Sequence, residues 1–83
     1  MLPAGPETVN ANGHDIIIGS PEWQAWVEAT VKPAAEIGTG PEIGSEQWCQ
    51  SIDQRLYPPA SGLKPCNRDW NAKVTETLKN RAP

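Results

Sequence analysis

The sequence predicts a mainly α-helical fold, a small three-helix bundle with one Trp per helix, an irregular N-terminal arm and Pro/Gly-rich loops. Three observations lead there. A short signature occurs three times: Ile18-Gly19-Ser20-Pro21-Glu22-Trp23, Ile43-Gly44-Ser45-Glu46-Gln47-Trp48 and Asn67-Arg68-Asp69-Trp70. Each Trp is followed at i+4 and i+8 by aliphatics, Val27 and Val31, Ile52 and Leu56, Val74 and Leu78, which places three apolar side chains on one helical stripe. Leu, Ile and Val number only 14 of 83 residues and Phe is absent, so the core must form around four Trp; each can bury on the order of 150–250 Å².

Taken in order, residues 1–14 carry Pro3, Gly5, Pro6, Asn10, Asn12 and Gly13 without periodicity and read as an irregular arm. Residues 15–81 read as a single small helical domain, in keeping with the chain's length. Asp15 to Ile18 suits either a short strand or an apolar plug entering the first helix. That helix is expected over Ser20–Lys32, with Ser20 as N-cap and Pro21 in the first turn, where its missing N–H costs nothing. Lys32-Pro33 ends it, and Ala34 to Pro41 reads as a loop with one helical turn at Ala34-Ala35-Glu36. The second helix is expected over Ser45–Tyr57, capped by Ser45 and stopped by Pro58-Pro59. The third is expected over Pro65–Asn80, with either Pro65 or Asn67 marking its start.

Charge is uneven. Residues 1–57 hold eight acids and two bases, a net of −6, whereas residues 58–83 hold five bases and two acids, a net of +3. Such asymmetry marks a candidate interaction surface. On the third helix Arg68, Asn71, Thr75 and Lys79 fall away from the Trp70 stripe and are the candidate nucleic-acid-binding residues. On the first helix Trp26 has no apolar counterpart, Ser51 and Lys73 occupying the equivalent positions. Trp26, with Glu22, Ile16 and Ile17, is therefore the candidate partner-binding group, large aromatics being enriched in binding hot spots. A solvated outer face and a Trp packed under the arm are the plainer readings of the same residues.

Chemistry-bearing constellations are missing. His14 is the only His, and with Cys49 and Cys66 it makes too few ligands for a structural zinc site. Buried free thiols are the expected state of the two cysteines, a disulfide being the alternative. Gly38-Thr39-Gly40 is too short for a phosphate-binding loop. No enzyme, metal or cofactor is expected. No apolar run is long enough to cross a membrane and no secretory leader is visible, so the expectation is a cytoplasmic or virion-associated protein without a membrane partner.

Cys66-Asn67-Arg68-Asp69-Trp70, read with Trp48, Ile52, Leu56 and Trp23, resembles the Myb/SANT-type repeat. The resemblance implies three helices with one bulky aromatic each and a third helix that reads DNA through Arg68, Asn71 and Thr75. The acidity of the first two helices instead favours a protein partner, because phosphate neutralisation dominates nucleic-acid affinity. The expected function is a small protein-interaction module: an adaptor, an inhibitor or a minor structural component of a larger assembly such as a phage particle. A helix-turn-helix-like DNA-binding protein is the alternative.

Overall fold

The computed structural model describes residues 7–11 and 13–81, with Arg81 by its backbone alone. The chain opens with an antiparallel hairpin, β1 (Thr8–Ala11) and β2 (His14–Ile17), in which Thr8 faces Ile17, Val9 faces Ile16, Asn10 faces Asp15 and Ala11 faces His14. Three helices follow: α1 (Pro21–Val31), α2 (Glu46–Leu56) and α3 (Arg68–Arg81), with a 3-10 turn at Ala34–Glu36 after α1.

The hairpin corrects the expected fold class. The chain is mainly α but adds a two-stranded sheet: β1 lies where an irregular arm was predicted, and β2 takes the strand reading of the two open for Asp15 to Ile18. Val9, Ala11 and Ile16 alternate inward and are buried in the core, while Thr8, Asn10, Asp15 and Ile17 line the outer face. Period-two alternation over so few residues is easily mistaken for irregular chain. The Asn12-Gly13 dipeptide was the stronger signal, being a favoured hairpin turn, and Gly13 has the required positive φ, 76°. Residues 1–6 and 12 of the predicted arm lie outside the described residues.

The threefold signature is a real structural unit. Each copy begins with a β-turn closed by the cap's own N–H: Ser20 N donates to Ile17 O (3.1 Å), Ser45 N to Glu42 O (3.0 Å) and Asn67 N to Lys64 O (3.2 Å). The third turn residue is left-handed in all three, at φ 92° for Gly19, 91° for Gly44 and 72° for Cys66, the type II pattern. The cap then serves the first helical turn: Ser20 Oγ accepts from Trp23 N, Ser45 Oγ from Trp48 N, and Asn67 Oδ1 from Asp69 N. The third helix starts at Arg68 rather than Pro65, because Pro65 and Cys66 are spent in the turn.

The three units close into a ring. Trp23, Trp48 and Trp70 are fully buried, and Trp23 meets Trp70 edge to face at 6.5 Å. Each indole N–H donates to the residue five positions after the Trp of another unit. Trp48 Nε1 reaches Glu28 Oε1 (2.8 Å), Trp70 Nε1 reaches Asp53 Oδ1 (2.9 Å) and Trp23 Nε1 reaches Thr75 Oγ1 (2.9 Å). So α2 leans on α1, α3 on α2, and α1 on α3.

A second set of joints follows the same order. The left-handed residue of each unit abuts the residue just after the Trp of its neighbour. A Cβ on Gly44 would lie 2.7 Å from Gln24 Oε1, and one on Gly19 would lie 3.2 Å from Asn71 Nδ2. At the third joint the same two positions are Cys66 and Cys49, and they form a disulfide with Cα atoms 5.6 Å apart. The expectation of free buried thiols is thereby corrected: Cys49 is buried, but Cys66 is exposed.

Candidate interaction surface

The ring places two carboxylates in the interior. Glu28 is 1% exposed and its side chain pairs with that of Lys32 at 3.0 Å. Beyond Lys32 and the Trp48 indole, Glu28 Oε2 accepts from Gly38 N (2.9 Å), and Lys32 Nζ also donates to Thr39 O (2.8 Å). Burial pushes the Glu28 carboxyl up, but the donors from Trp48, Gly38 and Lys32 together outweigh it and hold it below its ordinary value. Asp53 has no cation at hand. Burial pushes it up too, and hydrogen bonds from Ser61 and the Trp70 indole prevail and leave it lowered.

Each buried acid thus clips the loop that follows its own helix, Glu28 the segment at Gly38 and Asp53 the segment at Ser61. In the third unit an uncharged Thr75 takes the equivalent place and donates to Asn71 O (2.8 Å) within its own helix. Among the described residues every buried side-chain nitrogen and oxygen has a partner. The interior is therefore saturated, and interaction capacity lies on the outside.

Of the predicted partner-binding residues, Ile17 is exposed on the hairpin's outer face at 49%. Glu22 is exposed and its Oε2 pairs with His14 Nε2 at 2.8 Å, tying β2 to the first turn of α1. Trp26 is half-buried against the core, and Ile16, at 5% exposed, belongs to the core itself and is not offered to a partner. Of the predicted nucleic-acid-binding residues, Thr75 is 3% exposed and already accepts the Trp23 indole N–H. It follows Val74 on the inward side of α3, where the neighbouring unit covers it, so its assignment to the outer face is corrected. Asn71 is half-buried beside Gly19. Arg68 and Lys79 are exposed, with Glu7 at 3.9 Å and Glu76 at 3.6 Å respectively.

Sequence reasoning missed two surface features. Ile37 and Ile43 are exposed at 45% and 38%, although the first read as a loop residue and the second only as the opening of the repeated signature. The outward stripe of α1 is Pro21, Ala25 and Ala29, all exposed. At the matching positions α2 carries Glu46, Gln50 and Gln54, and α3 carries Arg68, the half-buried Ala72 and Glu76. Spacing alone signalled that contrast.

Electrostatics separate the halves further. Between residues 7 and 46 the only Lys or Arg is Lys32, and it is spent inside on Glu28. Glu7, Asp15, Glu22, Glu42 and Glu46 face solvent there. Beyond α2, Lys73 is engaged over the Tyr57 ring at 5.2 Å. No cluster of three or more His, Cys, Asp or Glu suited to a metal occurs among the described residues. No helix among them is long and apolar enough to cross a membrane. No protein-family model, curated protein or solved structure matches the chain.

Proposed function

We propose that the protein is a binding module for another protein, one whose contact surface offers apolar side chains within a basic rim. The observation that carries this reading is the segment from the hairpin to the start of α2. It exposes Ile17, Ile37 and Ile43, in a chain poor in aliphatics. Of its outward acids Glu36 meets Arg55 at 2.7 Å and Glu7 meets Arg68 at 3.9 Å, while Asp15, Glu22, Glu42 and Glu46 pair with no Lys or Arg among the described residues. Exposed apolar surface flanked by one sign of charge favours a complementary partner and a fast, salt-sensitive encounter. The uncharged outer stripe of α1 allows another element to approach closely. A duplex nucleic acid fits less well, since Thr75 is buried and Arg68 and Lys79 both have acids nearby.

The disulfide supports an oxidising place of work, outside the cytoplasm or on an assembled particle, in preference to the cytoplasmic reading.

The test is capture of the partner from the native source by three immobilised proteins: wild type, Ala25→Arg with Ala29→Arg, and Arg68→Ala with Lys79→Ala. The expected result is capture by wild type and by the Arg68/Lys79 variant, weakening as salt rises, and loss with the Ala25/Ala29 variant. Loss confined to the Arg68/Lys79 variant, with retention of generic duplex DNA by wild type, would overturn the reading. Deleting residues 1–12 is a poorer probe, because β1 places Val9 and Ala11 in the core.

A further inference from the structure

We propose that Cys66 is a thiol–disulfide exchange site, at which an incoming thiolate displaces Cys49 while the ring stays folded. The two sulfurs are unequally placed. Cys49 is 2% exposed inside the first turns of α2, whereas Cys66 is exposed and borders an open cavity of about 400 Å³ lined also by Glu46, Lys64, Pro65 and Asn67. Cys66 Sγ lies 3.8 Å from Ser45 O, at the cap of α2. Attack therefore has one accessible sulfur, with the Lys64 ammonium at the approach favouring the thiolate and the Glu46 carboxylate opposing it.

The Cys66 backbone adds a second argument. Its φ of 72° is a left-handed conformation that glycine adopts freely and a Cβ resists. The other two units place glycine at this position and hold the equivalent joint by contact alone, Gly19 on Asn71 and Gly44 on Gln24. The covalent bond at the third joint is thus an addition to a ring geometry that forms twice without one.

The exchange balances without a further oxidant. The thiolate sulfur bonds to Cys66 Sγ, the bond between Cys66 and Cys49 breaks, and its electron pair leaves on Cys49 Sγ. Cys49 lies four residues after the α2 cap, where the helix terminus offsets part of what burial costs the departing negative charge. A proton from water then gives the Cys49 thiol, and Cys66 carries a mixed disulfide facing the cavity. The thiol belongs either to a small molecule or to a cysteine of another protein.

The test uses the full oxidised chain in two arms, one with reduced glutathione and one with a dithiol protein reductant lacking its resolving cysteine. Peptide mass mapping after acid quenching is expected to find the adduct on Cys66 and a free thiol at Cys49, the faster arm identifying the source of the thiol. An adduct on Cys49, or none in either arm until denaturant is added, would overturn the proposal. Lys64→Gln should slow the exchange roughly fivefold at low salt and less at high salt; an unchanged rate removes the electrostatic part of the argument. The double variant Cys49→Gln with Cys66→Gly copies the other two joints and should retain the wild-type far-ultraviolet circular dichroism. An unfolded double variant would show that the bond is structural, and the proposal would fail.

Discussion

Glu28 concentrates the residue-scale argument, because one carboxylate joins α1 to α2 through Trp48 and to its own loop through Gly38, with Lys32 beside it. Removing one partner of a buried pair strands the other, so Glu28→Gln is expected to cost about 3–5 kcal/mol, read as a lower urea midpoint with an unchanged slope. Acid should act on the same groups. Glu28 and Asp53 both ionise more readily in the folded chain than in the unfolded one. Their contribution is complete above the unfolded value near 4 and is lost as the pH falls through the lower folded values. Thermal midpoints should therefore be insensitive to these two groups above about pH 5 and fall progressively below about pH 4. The acid-side slope should be shallower in Asp53→Asn, which no longer gains ionisation on folding.

At the scale of the elements, legibility followed chemical distinctiveness. The helix starts were readable because a Ser or Asn three residues before a Trp has a local physical meaning, and Ser20 and Ser45 are caps in the structure. Ser20→Ala and Ser45→Ala should each cost roughly 0.5–2 kcal/mol, measured as lowered denaturant midpoints. The Ala34–Glu36 turn and the ends of α1 and α2 were readable for similar reasons. β1 was not, and β2 was legible only as one of two readings of Asp15 to Ile18, since four alternating residues per strand carry little periodicity of their own. The start of α3 was left open between Pro65 and Asn67 because Pro65 opens helices and turns alike; only the left-handed Cys66 decides between them, for Asn67. Of the proposed surface, Ile17 was visible as an apolar residue beside the first helix. The roles of Ile16 and Thr75 depended on which neighbour covers them, a nonlocal fact that helix spacing does not contain.

For the whole molecule, the disulfide adds to a ring already closed by packing. It spans a sequence separation of 17, for which the loss of unfolded-chain entropy amounts to about 3 kcal/mol. Reduction should lower the thermal midpoint and leave a folded protein at 25 °C, checked by melting with and without reductant. The ring also has a consequence for cooperativity. Because α1 leans on α3, α3 on α2 and α2 on α1, no pair of helices is self-sufficient: omitting any one strands one indole donor and, at a separate interface, the acceptor of another indole. Partial opening should therefore be rare, and the calorimetric and van't Hoff enthalpies of unfolding should coincide. Slowly exchanging amides of the three helices should likewise report one common opening free energy, as in a single foldon. Under the proposed binding function, such a module would meet its partner as one rigid body, keeping its affinity until the entire chain gives way at once.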